Sequence, residues 1–349
     1  MKILINLLLS ISLSLTLVAQ NYPIDTTYKG DSQQPELLYN ESVKRFENKN
    51  YNEAIQKLDE AIALKANFEK AYYNRAIIKL EIKKFKEAIN DFTKSIDLAP
   101  SAKGYFGRAK ARFEELNYDS ALIDFASAIK LDPQYAQAYY NRAVIYFEKG
   151  SYEKAIQDYD SALKIKPDFD YAYNDRGSAK LKLEKFEDAK ADYTKAITIN
   201  PSMAIAYSNR GSVKIKLRDL EGALLDYSKA ISLNSDWFMA FNNRGTTYSE
   251  LGDYQNAIKD FTQAIELKAD YYYSYNNRAN AKYKIADYEG ALIDYNKAIE
   301  LKPDYGYAYL NRGITFEMLR KPDNACEDWK KAASLGVSSA SVYINSQCK

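Results

Sequence analysis

The sequence predicts an all-α solenoid of about nine helix–turn–helix repeats, closed by a C-terminal capping helix. Three observations carry this. Arginine recurs as Arg75, Arg108, Arg142, Arg176, Arg210, Arg244, Arg278 and Arg312, with one gap of 33 residues and then gaps of 34. Alanine keeps the same period at Ala54, Ala88, Ala121, Ala155, Ala189, Ala223, Ala257, Ala291 and Ala325. Each period holds two stretches of helical spacing around a short break, as in Ala136–Lys149, the break Gly150-Ser151, and Tyr152–Lys166. A fixed period of this length marks units that bury their apolar faces by stacking on their neighbours.

The N-terminus precedes the repeats. Lys2 leads into an apolar stretch from Ile3 to Ala19, which reads as a secretory signal peptide over residues 1–19, cut after Ala19. An uncleaved anchor is the alternative, but the stretch is short for a membrane span and carries hydroxyl residues, so no span is expected once it is cleaved. No cysteine lies near the cut, so a lipid anchor is not indicated. Residues 20–34 are polar and read as a linker.

The repeats occupy 35–68, 69–101, 102–135, 136–169, 170–203, 204–237, 238–271, 272–305 and 306–339. Positions 8, 20 and 27 stay small. Position 4 is Tyr in most repeats, and position 24 is aromatic from Phe92 to Trp329. Large side chains beside small ones give interdigitated packing. The third repeat departs with Gly104 and Gly107 in its first helix, which reads as a hinge or as drift. Residues 340–349 form the cap. Cys326 and Cys348 are the only cysteines, and in an exported chain an even pair suggests a disulfide that clips the cap to the ninth repeat.

A 34-residue helical hairpin with small residues at 8, 20 and 27, aromatics at 4, 17 and 24, and Pro at 32 (Pro100, Pro133, Pro167, Pro201, Pro303) resembles the tetratricopeptide repeat. Asn209-Arg210-Gly211 matches its Asn-Arg-Gly variant. Tyr replaces the family's common Trp at 4, Arg its Leu at 7, and Lys often its Tyr at 11. The resemblance implies a right-handed solenoid and a concave groove lined by positions 2, 5, 6, 9 and 13 of each first helix.

Position 7 is Arg and position 23 is Asp in the second to ninth repeats, and in the first both signs reverse, to Glu41 and Lys57. A reversal of both members predicts that the two positions touch within a repeat, as Arg142 with Asp158. Such aspartates read as structural rather than catalytic or metal-binding.

The expected groove carries an amide ladder at position 6, with Asn40, Asn74, Asn141, Asn209, Asn243, Asn277 and Asn311, interrupted by Gly107 and Asp175. Asparagine is a mediocre helix former, so its repetition needs a reason. One reading is contact with the backbone of an extended peptide; the other is local bonding that keeps adjacent first helices in register. Tyr39, Tyr73, Phe106 and Tyr140 at position 5, and Tyr171, Tyr273 and Tyr307 at position 2, are read as groove aromatics or as helix packing. Position 13 is Glu47, Glu81, Glu114 and Glu148 early, then Lys182, Lys216 and Lys284. Such a gradient would orient a charged partner. The family's carboxylate clamp needs Lys at position 5, which no repeat has.

The charge balance, 49 basic against 47 acidic residues for a net +2, gives no basic footprint for nucleic acid. Histidine is absent and no phosphate-binding Gly-rich loop occurs, which removes the common catalytic pairs and expects no cofactor. The expected function is a non-catalytic scaffold that binds a protein or peptide, exported to the periplasm, the outer-membrane surface or the exterior. The alternative is glycan binding through the groove tyrosines.

Overall fold

The structure, a computed structural model, describes residues 24–25 and 33–348. The leader read in residues 1–19 lies outside the described residues. The described residues hold nineteen helices and no strand. They divide into two compact bodies, the first ending at Lys185 and the second starting at Phe186.

In the first body the helices are α1 (Gln34–Glu47), α2 (Tyr51–Leu64), α3 (Glu69–Glu81), α4 (Phe85–Leu98), α5 (Ala102–Glu114), α6 (Tyr118–Leu131), α7 (Ala136–Glu148), α8 (Tyr152–Ile165) and α9 (Asp170–Lys182). The second body holds α10 (Phe186–Ile199), α11 (Ala204–Lys216), α12 (Leu220–Leu233), α13 (Phe238–Glu250), α14 (Tyr254–Leu267), α15 (Tyr272–Lys284), α16 (Tyr288–Leu301), α17 (Gly306–Met318), α18 (Pro322–Ser334) and α19 (Ala340–Gln347). Within each body the two helices of a repeat pack together, as α3 with α4 and α13 with α14. The second helix then packs on the first helix of the next repeat, as α4 on α5 and α14 on α15.

The turn between the two helices of a repeat has one fixed geometry. Its residue at position 15 adopts a left-handed conformation throughout: Lys49, Lys83, Leu116, Gly150, Glu184, Arg218, Gly252, Ala286 and Arg320 all have positive φ. Glycine adopts it freely, so Gly150 and Gly252 are the unstrained versions of this turn. The next residue often caps the second helix. Asn117, Asp219, Asp253 and Asp287 each accept a hydrogen bond from a backbone N–H three residues on.

The small and large positions meet as expected. Ala54, Ala88, Ala121, Ala155, Ala223, Ala257 and Ala291 are fully buried. At position 8, Cβ atoms built on Gly211, Gly245 and Gly313 would touch the position-24 rings of Tyr227, Phe261 and Trp329 in the same repeat. Gly107 has a packing reason rather than a hinge or drift: a Cβ there would fall 2.4 Å from the buried Phe92 ring of the preceding repeat.

The capping helix α19 packs on α18, with the Tyr343 ring stacked 5.0 Å from that of Trp329. A Cys326–Cys348 disulfide fixes its end to α18, with 5.6 Å between the Cα atoms.

Candidate functional site

The arginine of position 7 organises the repeat stack. Arg142 donates from Nε and Nη2 to the two carboxylate oxygens of Asp158, both at 2.7 Å. The same bidentate pair joins Arg75 to Asp91 and Arg108 to Asp124 in the first body, and Arg210 to Asp226, Arg244 to Asp260, Arg278 to Asp294 and Arg312 to Asp328 in the second. The reversed pair of the first repeat also meets, Lys57 Nζ lying 3.6 Å from Glu41. At Arg142 the bond to Asp158 outweighs burial and moves the guanidinium pKa up.

Three features of the ladder were missed in the sequence. The remaining Nη1 reaches back one repeat, to position 25: Arg75 to Asp59, Arg108 to Thr93 and Arg176 to Asp160 in the first body, and Arg210 to Thr194, Arg244 to Ser228, Arg278 to Thr262 and Arg312 to Asn296 in the second. The guanidinium also lies over the aromatic ring three residues earlier, as Arg108 over Tyr105 at 5.5 Å and Arg312 over Tyr309 at 5.4 Å. The cation of position 11 adds a further donor to the aspartate, as Lys79 to Asp91 and Lys214 to Asp226. Its visible signal was the recurrence of Lys where the family commonly has Tyr. Arg75, Arg108, Arg210, Arg244, Arg278 and Arg312 thus each tie their own two helices together and tie their repeat to the one before.

The expected groove is less open than its residues suggested. The rings of Tyr39, Tyr73, Phe106 and Tyr140 are buried. Position 5 points between the helices of its own repeat. Tyr39 packs on Phe68, Tyr73 on Phe92, Phe106 on Phe125 and Tyr135, and Tyr140 on Tyr159 and Phe169, with centroids 4.7 to 5.8 Å apart. At position 2, Tyr171, Tyr273 and Tyr307 are half-buried. Tyr273 joins a ring cluster with Tyr271, Tyr272 and Tyr305, and Tyr305 in turn meets Tyr307. Burial among these rings pushes the Tyr271 phenol up to about 12. The position-13 charges Glu47, Glu81, Glu114, Glu148, Lys182, Lys216 and Lys284 are all exposed.

The amide ladder is also largely internal. Asn74, Asn141, Asn209, Asn243 and Asp175 are buried, whereas Asn40, Asn277 and Asn311 are half-buried. Several of these bonds serve the register of adjacent first helices. Asn277 donates to Asn242 at 3.4 Å and Asn311 to Asn280 at 3.1 Å, each one repeat back. Asn141 instead donates to its own helix, at the Gln137 carbonyl. Asp175 accepts from the Tyr140 hydroxyl at 2.7 Å and from the Asn174 amide at 2.9 Å. Complete burial pushes its carboxyl up to about 6 despite those two donors. Lys110, at position 9, is 2% exposed, and burial brings its ammonium down to about 8.

One rung faces outward onto another piece of chain. Ile24 and Asp25, in the segment read as a linker, lie on the face of the first helices. The Asp25 N–H donates to Asn74 Oδ1 at 2.9 Å, and Asn74 Nδ2 donates to the Asp25 carbonyl at 3.2 Å. The Tyr39 hydroxyl donates to that carbonyl at 2.7 Å, Lys103 pairs with the Asp25 carboxylate, and Ile24 packs against the clusters around Tyr39 and Tyr73. No sequence signal marked these two residues.

Tetratricopeptide repeat models match residues 69–101, 136–169, 171–203, 204–236 and 238–271, and a TPR repeat model matches 109–150 and 287–319. The chain belongs to the tetratricopeptide repeat family. Among solved structures, a tetratricopeptide repeat protein from Parabacteroides merdae is 21% identical, with 69% of this chain and 95% of that one covered at a TM-score of 0.55. The C-terminal part of a TPR repeat-containing protein from Cytophaga hutchinsonii is 18% identical, with 68% and 98% covered at 0.57. A chain of the APC/C hetero-tetramer Cut9–Hcn1 is 14% identical, with 96% of this chain and 80% of that one covered at 0.58. These likenesses are of fold. None of the curated proteins matches the chain in sequence. A tetratricopeptide array is typically a non-catalytic protein-interaction scaffold, and the described residues hold no group of His, Cys, Asp and Glu suited to a metal ion. Among the described residues, no helix is long and apolar enough to cross a membrane.

Proposed function

We propose that the chain is an exported, non-catalytic scaffold that binds an extended segment of a partner protein along its first helices, in the cell envelope or outside it. The observation that carries the reading is the grip of Asn74 on Asp25. A side-chain amide has one acceptor and one donor side by side, so it satisfies the N–H and C=O of one residue together, as a neighbouring strand would. The half-buried tyrosines of position 2 and the exposed charges of position 13 supply side-chain contacts beside it. Export rests on the apolar leader of residues 1–19.

The glycan reading loses support from burial. Sugar stacking needs open ring faces, and Tyr39, Tyr73, Phe106 and Tyr140 have none.

Site-directed photo-crosslinking tests the scaffold reading. A benzoylphenylalanine placed at Tyr171 or Tyr273 samples the first helices. The same group at Leu225 or Ile293, exposed on second helices, is the control. A protein from the native envelope extract that crosslinks from the first pair and not from the second supports the reading. Crosslinks from the control positions alone would move the interface off the first helices. N-terminal sequencing of the exported chain tests the leader, with Gln20 expected first.

A further inference from the structure

From the seat of Ile24 and Asp25, and resting on the groove reading above, we infer that the first three repeats recognise an apolar–acidic dipeptide in an extended chain. The protein's own residues 24–25 are a tethered occupant that a partner peptide of the same chemistry must displace.

The seat has three parts, each from a different repeat. Asn74, from the second repeat, takes both main-chain groups of Asp25. Those bonds read the backbone and carry no side-chain preference. Tyr39, from the first repeat, donates its hydroxyl to the Asp25 carbonyl and accepts from Asn74 Nδ2 at 2.8 Å. The tyrosine therefore fixes the amide so that its Oδ1 faces the incoming N–H, which preorganises the site. Lys103, from the third repeat, meets the Asp25 carboxylate and lies 4.8 Å from the Tyr73 ring centroid. The cation selects an acid at this place. Ile24 packs between the clusters centred on Tyr39 and Tyr73, so an apolar side chain is selected just before the acid. The spacing then reads apolar–acidic.

The seat is well formed but not optimal for its present occupant. The second carboxylate oxygen of Asp25 is buried with no hydrogen-bond partner among the described residues. A buried acceptor left unmade weakens the hold. The covalent tether compensates by raising the local concentration of the dipeptide. An imperfect, tethered ligand suits a site that must open to a better one from a partner.

Fluorescence anisotropy with a labelled Tyr-Pro-Ile-Asp-Thr-Thr peptide, the sequence of residues 22–27, tests this on the full chain. Asp25→Lys sets a cation against Lys103 and releases the arm. The peptide should bind the Asp25→Lys chain at least tenfold more tightly than the unaltered chain. Adding Asn74→Ala to Asp25→Lys should weaken binding at least tenfold, as should replacing the peptide's Asp with Lys. Equal affinity for the unaltered and Asp25→Lys chains, including no detectable binding to either, overturns the inference, as does indifference to Asn74→Ala. If circular dichroism shows that a variant has lost its helices, hydrogen exchange on the unaltered chain decides. The Asp25 amide should be protected and should lose protection as unlabelled peptide is added in excess; an unprotected amide, or protection that ignores the peptide, overturns the inference. A partner that crosslinks at Tyr171 or Tyr273 while the peptide fails would leave the scaffold reading standing and remove only the dipeptide specificity.

Discussion

Asp158 receives two 2.7 Å hydrogen bonds from Arg142, and the place one repeat back that supplies a third acceptor to the other arginines is occupied here by Ala126. The arginine ladder is therefore both an intra-repeat clamp and an inter-repeat staple, and the two roles can be separated by mutation.

The clamp is tested by charge reversal. Asp158 is buried and Arg142 half-buried, so Arg142→Glu leaves a carboxylate facing a carboxylate and should destabilise by about 3 kcal/mol. Adding Asp158→Lys recreates the arrangement already present in Glu41 and Lys57, and should recover a large part of the loss. The recovery is incomplete because glutamate cannot replace the guanidinium that lies over Tyr139. Urea denaturation of the two variants measures both steps; a double variant no better than the single one would refute the pairing.

The staple is tested at Ala126. Thr93 donates its hydroxyl to the Ile89 carbonyl of its own helix and accepts from Arg108, so a threonine fits this place without strain. Ala126→Thr should offer Arg142 the acceptor and raise stability by about 0.5–1 kcal/mol, after the lower helix propensity of threonine is subtracted. Ala126→Val, with the same shape and no hydroxyl, should bring no gain.

Turn strain gives a third expectation. Leu116 has a φ of 58° and is 72% exposed, so it contributes little burial and bears the left-handed strain. Leu116→Gly should stabilise by about 1 kcal/mol, and Gly150→Ala should destabilise by a similar amount. Thermal melts that move in the same direction for both would disprove the strain account.

The buried carboxyl of Asp175 predicts a pH dependence. Its folded pKa is pushed up to about 6, above the ordinary aspartate value. Below about pH 4 the carboxyl is protonated in both states and contributes no difference. As pH rises to 6 the unfolded chain ionises first, so stability falls, and above 6 the penalty is constant. Asp175→Asn should remove it. The variant should be about 2–3 kcal/mol more stable than the unaltered chain at pH 7.5 and equal to it near pH 3.5, as read by denaturation at the two pH values.

Reduction should loosen the C-terminus. The Cys326–Cys348 bridge closes a separation of 22 residues, for which chain entropy gives about 3 kcal/mol. Cys348→Ser should speed hydrogen exchange in α19 while leaving α11 to α16 unchanged. Uniform acceleration through these helices would mean that the cap supports the whole second body.

The sequence by itself determined the repeat, its two helices, the small and large positions, and the pairing of 7 with 23. All of these rest on periodicity, because every copy of the unit solves the same packing problem with the same residue types. The reversed Glu41 and Lys57 made even a tertiary contact legible. Tertiary structure alone decided which side of each first helix is open. Tyr39 and Asn74 sit at helix positions that spacing assigns to the groove, yet both are buried: the Tyr39 ring packs on Phe68 of its own repeat, and Asp25 bonds to both side chains, contacts that helical angle alone does not give. It alone brought Thr93 to Arg108 and Asp59 to Arg75, because a contact between consecutive repeats is set by how they stack. It alone placed Ile24 and Asp25 on Asn74, since a single non-repeated segment leaves no period to read and its bonds go to side chains far along the chain.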